Sequence, residues 1–145
     1  MQVVYTAIFV DKNYLIEKYP KVFPNIFYHH STIEFRPSTI NEFPIGENFD
    51  LKITGQLTTD KVDVLLVENP LSTNKHPHIT LSTADGIKPF ESNIEIIENL
   101  DNIEPLNDTV NGVYGVFDGQ NDITSPHKLL NEYKNRFYQI LNIYN

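Results

Sequence analysis

Two stretches, YHHSTIEF at residues 28–35 and HPHITLS at residues 76–82, carry four of the five histidines in this 145-residue chain. Both contain His-x-Thr followed by a branched apolar residue, and the two pairs are His30 with Thr32 and His78 with Thr80. Successive side chains of a β-strand point to opposite faces of the sheet. Each stretch is therefore predicted to be a strand with a mostly apolar face for a core and a second face that carries His and Thr.

The same alternation assigns the neighbouring residues to faces. Tyr28 and Glu34 fall with His30 on the polar face, and His76 falls with His78. The residues predicted to face the core are Phe27, His29, Ser31, Ile33 and Phe35 in the first stretch and Ile79 and Leu81 in the second.

Two histidines and two threonines in this arrangement suit phosphodiester cleavage. An imidazole, with an ordinary pKa of about 6.5, can take a proton from water or a ribose hydroxyl, and a second imidazole can protonate the departing oxygen. Threonine hydroxyls can donate hydrogen bonds to the non-bridging phosphate oxygens without help from a metal. Because two strand rises span about 7 Å, the His and Thr of one strand can reach the same phosphate.

The whole chain predicts a single α+β domain with a largely antiparallel sheet, because about six strands and two or three helices follow one another without regular alternation. Predicted strands cover residues 3–10, 25–35, 49–57, 62–67, 110–117 and the stretch around His78. Short helices are predicted at residues 13–19 and 88–100. A C-terminal helix is predicted to begin at Ser125-Pro126, because an apolar stripe follows at spacings of three and four.

The charge balance limits the partners. The chain has 11 basic and 19 acidic residues, for a net charge of −8, whereas proteins that track long nucleic acids normally carry a basic face. A small anionic nucleotide in a local pocket is compatible with this charge. The chain has no Cys, no apolar run of about 18 residues and an N-terminus that reads as a strand. We therefore expect a cytoplasmic protein without a membrane partner.

The pair of motifs resembles the 2H phosphoesterase superfamily, which is defined by two His-x-Thr/Ser-x motifs on central strands of two pseudo-symmetric lobes. The segment HITLSTADGIKPFESN, residues 78–93, is similar to the second-motif region of the cyclic phosphodiesterase domain of fungal and plant tRNA ligases. Small members also occur in phages, where some degrade cyclic nucleotide immune signals. The resemblance implies a bilobal, pseudo-two-fold fold around a central cleft and catalysis without a metal or other cofactor. For a phage-encoded member it implies action in the host cytoplasm.

Carried over to this chain, the resemblance makes His30 and His78 the acid/base pair and Thr32 and Thr80 the donors to phosphate oxygens. The two histidines are 48 residues apart (78 − 30), which is short for the superfamily. The spacing favours a trimmed first lobe or short connections, and it leaves the substrate-recognition loops open. Which histidine is the base also stays open.

Five further side chains are candidates for binding substrate: Tyr28, His76, Lys88, Ser92 and Asn93. Tyr28 could stack on a base, or it could be an aromatic residue at the edge of the core. Lys88 could provide a charge for a second phosphate, and Ser92 and Asn93 could donate hydrogen bonds. The alternative for these last three is the local chemistry of a helix start.

The histidines have other possible roles. His30 and His78 could be ordinary half-buried residues, and together with His76 they could hold zinc. Against zinc, no carboxylate partner is evident besides Glu34, and the threonines would then have no role. His29 is predicted to face the core, which favours a structural, hydrogen-bonded role.

Three functions follow from these features. The first is hydrolysis of a small cyclic nucleotide or cyclic oligonucleotide signal, such as one used in antiphage defence, and the acidic, Asn- and Ile-rich composition favours it. The second is cleavage of a 2′,3′-cyclic phosphate at an RNA end, which the similarity to tRNA ligases favours. The third is non-catalytic nucleotide binding, which the two intact motifs disfavour.

Overall fold

The structure, a computed structural model, is a mixed α+β fold and describes residues 3–37 and 44–126. Its strands are β1 (Tyr5–Val10), β2 (Asn25–Ile26), β3 (His30–Phe35), β4 (Leu51–Thr58), β5 (Val62–Glu68), β6 (His78–Thr83), β7 (Glu104–Val110), β8 (Gly112–Phe117) and β9 (Asp122–Ile123). Its helices are α1 (Lys12–Lys18) and α2 (Ser92–Glu98), with 3-10 turns at Pro89–Glu91 and Leu100–Asn102. Within the described ranges the strands form two antiparallel sheets, ordered β3-β1-β8-β9 and β2-β6-β5-β4-β7.

The main core lies between the two sheets and draws side chains from both. Strand β5 is buried on both faces, as its nearly continuous apolar sequence VDVLLVE indicates. Leu65 and Val67 belong to the main core, while Val64 and Leu66 pack on the other face with Ile96 of α2. Strand β5 is therefore covered on both faces, and α2 packs against the second sheet at this strand.

Strands β3 and β6 belong to different sheets and contact each other. Ile33 of β3 and Ile79 and Leu81 of β6 lie in the main core. Because side chains alternate along a strand, the other faces of β3 and β6 carry the two His-x-Thr pairs. The core thus determines which way the candidate catalytic side chains point.

The segment predicted as one strand over residues 25–35 is two strands in different sheets. The chain breaks at Tyr28, whose φ of 50° lies in the left-handed region that bulky residues rarely adopt. The Tyr28 side chain is fully buried in the main core, and its hydroxyl donates to the backbone carbonyl of Tyr19 at 2.5 Å. The prediction that Tyr28 shares the polar face of His30 is therefore wrong.

Other element predictions also need correction. Strand β7 was not predicted, since it lies at a sheet edge, is largely exposed and contains Pro105. The helix predicted at residues 88–100 is shorter, because α2 is flanked by the two 3-10 turns. The C-terminal helix predicted to begin at Ser125-Pro126 lies outside the described residues from residue 127 onward. Among the described helices, none has the length and apolar character needed to cross a bilayer.

Helix α1 is anchored to β7 through Asp108. The carboxylate accepts hydrogen bonds from the hydroxyls of Tyr14 at 2.7 Å and Tyr19 at 2.8 Å, and it forms an ion pair with Lys18 at 3.0 Å. Burial opposes ionisation of Asp108, but these donors outweigh it and lower its pKa to about 2. The fully buried Leu15 adds an apolar contact with the main core.

Asp108→Asn is expected to lower the free energy of unfolding by about 1–3 kcal/mol at pH 7, because the donors lose their charged acceptor. The native pKa is depressed, so this contribution is fully present above the unfolded value near 4 and is lost as the pH falls through about 2. Urea unfolding of both proteins between pH 7 and pH 2 measures the difference, which should shrink with falling pH. The control is Asp60→Asn, which removes an exposed carboxylate in the β4–β5 turn. Equal stability of Asp108→Asn and the parent protein at pH 7 would contradict this role.

Candidate active site

The two His-x-Thr strands line one cavity of about 720 Å³. His30 and Thr32 reach it from β3, and His78 and Thr80 reach it from β6. All four side chains are half-buried, so they are shielded from bulk water but open to a ligand in the cavity. The structure thus brings together the four residues that the motifs singled out.

The register of the first sheet gives the cavity an aromatic wall. Tyr5 of β1 pairs with Phe35 on one side and with Phe117 on the other, so the three side chains share a face. A bulge in β3 beyond Thr32 reverses the alternation there. Phe35, which was predicted to face the core, is therefore 61% exposed and lines the cavity.

His78 is held in one tautomer by its own strand. Its Nδ1 lies 2.9 Å from the backbone carbonyl of His76, which can only accept, so Nδ1 carries the proton and Nε2 of the neutral ring has the lone pair. Burial lowers the pKa of His78; the hydrogen bond to that carbonyl opposes the shift, and the His76 ring adds to it. In the free protein His78 is a neutral imidazole whose Nε2 can accept a proton.

His30 is more strongly desolvated. Burial, followed by the neighbouring His29 and His78 rings, lowers its pKa to about 3. The ring stacks on Tyr5 with centroids 4.6 Å apart, and its Nδ1 lies 2.8 Å from Nδ1 of His29 and 3.4 Å from the Tyr5 hydroxyl. Because Nδ1 is engaged, Nε2 is the nitrogen left for a ligand.

Thr32 and Thr80 lie on strands that are each held by a hydrogen bond from a residue outside the strand. The Thr80 hydroxyl lies 2.9 Å from the hydroxyl of Ser92, which is fully buried at the start of α2. Ser92 therefore orients Thr80 and is not itself exposed to a ligand. On the other strand, Ser72 donates to the backbone carbonyl of Thr32 at 2.8 Å, so the loop after β5 secures the edge of β3.

The remaining predicted binding residues divide between the cavity and other positions. Asn93 lines the cavity. Lys88 is exposed and is not among the described residues that line it; its backbone N–H donates to the Glu91 carboxylate at 2.6 Å, which is helix-start chemistry. His76 contributes a backbone carbonyl, and its ring is likewise outside the described lining.

Sequence reasoning missed several residues that line the cavity. Lys12, in the first turn of α1, supplies the single ammonium group among the described lining residues. Phe90 of the first 3-10 turn is 65% exposed and lines the side nearer α2. His29 was predicted to face the core, but it precedes β3 and lines the cavity because the chain breaks at Tyr28. One feature of the sequence could have indicated a role for Lys12. It follows Asp11, the N-cap of α1, directly after β1.

The zinc alternative finds no ligand set in the described part of the chain. No group of three or more histidine, aspartate or glutamate side chains within residues 3–37 and 44–126 is placed to hold a metal ion. The expectation that catalysis needs no metal stays a prediction, which a chelator can test.

No protein-family model matches the sequence, and no curated protein matches it. The resemblance to the 2H phosphoesterase superfamily therefore stays a prediction from the two motifs. The chemistry of the cavity has to be inferred from its own side chains.

Lys12→Ala is expected to weaken the binding of inorganic phosphate by roughly tenfold at low ionic strength, because it removes the ammonium group that lines the cavity. Lys88→Ala is the matched control: it removes the same charge from an exposed position outside the described lining. Calorimetric or NMR titration of both variants measures the affinities. Equal losses in the two variants would show that Lys12 has no special place in anion binding.

Proposed function

We propose that this protein is a metal-independent phosphodiesterase that hydrolyses small nucleotides, with His30 and His78 as its acid/base pair. The observation that carries the proposal is the convergence of two His-x-Thr strands from different sheets on one cavity. One such pair means little by itself. Two pairs supply the two proton-transfer groups and two hydroxyl donors that cleavage of a phosphodiester requires.

The proposal extends to a bilobal, pseudo-two-fold arrangement in which each sheet is a lobe and the cavity is the central cleft. Three features support it. Each sheet contributes one His-x-Thr strand, the two strands contact each other, and each side of the cavity receives a residue from a helix, Lys12 from α1 and Asn93 from α2.

The hydrogen bonds favour His78 as the general base. Its Nδ1–H is held by the His76 carbonyl, so its Nε2 lone pair can take the proton of water or of a ribose hydroxyl. His30 then protonates the leaving oxygen from Nε2. An anion beside a histidine favours the charged form, so a bound phosphate opposes the burial that lowers the pKa of His30.

The other lining residues complete the proposed chemistry. The hydroxyls of Thr32 and Thr80 donate hydrogen bonds to the non-bridging oxygens as these gain charge. Lys12 supplies the single positively charged side chain among the described residues that line this cavity, in a chain whose net charge is −8. Binding energy therefore comes from groups inside the cavity and not from the overall field of the protein.

The walls of the cavity favour a compact nucleotide as the substrate. Phe35 and Phe90 are large apolar side chains left 61% and 65% exposed beside the catalytic groups. A base stacked on an aromatic ring gains about 1–3 kcal/mol, and stacking needs no particular base. Two such platforms suit a cyclic mono- or oligonucleotide, including the class of signals used in antiphage defence.

His30→Ala and His78→Ala are each expected to lower kcat on such a substrate by about 10²–10⁴-fold, because each removes one proton-transfer group. Neither side chain belongs to a core cluster, so both variants should fold. The measurement is turnover of a panel of cyclic mono-, di- and trinucleotides by the purified proteins. Thermal unfolding serves as the control for folding, and turnover near the parent rate in either variant would remove its residue from the acid/base pair.

A further inference from the structure

Behind His30 lies a chain of titratable groups that the proposed reaction leaves unused. Nδ1 of His29 is 2.8 Å from Nδ1 of His30, and Nε2 of His29 is 2.5 Å from a carboxylate oxygen of Asp122 in β9. The His29 ring is held edge-on to Phe9, with centroids 5.2 Å apart. Both side chains of the His29–Asp122 pair are 38% exposed, so the chain runs from the cavity to solvent.

The contact between the two Nδ1 atoms admits a single proton. Two lone pairs would repel at this distance and two N–H groups would clash, so one ring donates and the other accepts. The Asp122 carboxylate can only accept, and therefore Nε2 of His29 carries a proton. These two contacts couple the protonation of His29 to the tautomer of His30.

Two states of the pair follow. When His29 is neutral, its Nδ1 is a lone pair, His30 donates from Nδ1, and Nε2 of His30 is bare. When His29 gains a proton on Nδ1, it becomes the donor, and His30 must carry its own proton on Nε2. His30 is neutral in both states, and the positive charge rests on His29 beside Asp122.

We propose that Asp122, His29 and His30 form a proton relay in which protonation of His29 switches His30 to the tautomer that serves as general acid. The relay rests on the proposed function. His29 and Asp122 act through His30 and are positioning residues.

The step balances as follows. The Nε2–H bond of His30 breaks as its proton passes to the leaving oxygen, and the proton on Nδ1 of His29 moves to Nδ1 of His30. Both rings end neutral, with Nε2–H of His29 still donated to Asp122. A proton from solvent then enters at Nε2 of His30, and the Nδ1 proton returns to His29.

The surrounding charges favour placing the positive charge on His29. The titratable groups that interact with the two rings are Tyr5 on β1, His78 on β6 and Asp122 on β9, and Lys12 on α1 lines the same cavity. Burial and then Asp122 raise the pKa of Tyr5, so this hydroxyl stays protonated. Any charge on His78 repels a cation at His30, whereas Asp122 attracts one at His29.

The test is nitrogen-15 NMR of the histidine rings in the full chain as a function of pH. We expect Nδ1–H with a bare Nε2 on His30 at high pH, and a change to Nε2–H over the same pH range in which His29 becomes charged. The relay is overturned if His30 keeps one tautomer throughout, or if His30 becomes the imidazolium while His29 stays neutral.

Asp122→Asn should move the switch to lower pH by about one pH unit or more, because the amide does not stabilise the imidazolium of His29. Asp60→Asn removes an exposed carboxylate elsewhere and should leave the pH of the tautomer switch unchanged. Activity requires the general acid in its protonated form, so the loss of this proton sets the alkaline limb of the pH profile of kcat/KM. This limb should therefore also move to lower pH in Asp122→Asn. A switch at the parent pH in Asp122→Asn would overturn the relay.

The two readouts separate the relay from the proposed function. The NMR measurement needs no substrate, so a tautomer switch without phosphodiesterase activity would refute the function and leave the coupling intact. Turnover of cyclic nucleotides without the switch would refute the relay alone.

Discussion

The packing of Ile33, Ile79 and Leu81 into the core between the two sheets is the constraint on which the site depends. Each of these residues alternates with a histidine or threonine of its own strand. Once they are buried, the His-x-Thr pairs of β3 and β6 must point to the opposite faces, and contact between the strands brings both pairs to one cavity. Burial of each large aliphatic side chain contributes about 1.5–3 kcal/mol, so the same energy that stabilises the fold orients the site.

Desolvation is the second consequence of this placement. Burial lowers the pKa of both His30 and His78, so the free protein holds two neutral imidazoles. A neutral imidazole accepts a proton readily, and it can act as an acid only in the tautomer whose proton lies on the nitrogen that faces the leaving oxygen. The proposed chemistry therefore needs a proton on Nε2 of His30, and in the proposed relay a charged His29 held by Asp122 sets that tautomer without requiring an imidazolium in the buried position.

Much of the strand framework was predictable, because β3, β5 and β6 have faces that must be apolar. The departures come from tertiary packing that no local pattern records. Tyr28 adopts a positive φ and buries its ring, which breaks the predicted strand and turns His29 toward the cavity. Edge strand β7 has little buried surface to impose a pattern, and so its sequence resembles a loop.

The candidate site shows the same division. The four motif residues could be predicted, since strand alternation sets their direction. The bulge that directs Phe35 into the cavity depends on pairing with β1, and the choice of Lys12 over Lys88 depends on how α1 packs against the sheets. Likewise, the sequence indicated Ser92 as a polar residue near the site, but only the packing shows that it is buried and hydrogen-bonded to the Thr80 hydroxyl.

The most direct test of the central claim compares two substrates in excess chelator: a cyclic dinucleotide and a long single-stranded RNA that ends in a 2′,3′-cyclic phosphate. We predict a higher kcat/KM for the cyclic dinucleotide at low salt, because the net charge of −8 repels the longer polyanion. The difference should narrow as salt is raised, since screening over about 8 Å at physiological ionic strength helps the longer anion more. Faster cleavage of the RNA end at both salt concentrations would contradict the small-nucleotide assignment, and loss of all activity in the chelator would contradict catalysis by two histidines without a metal.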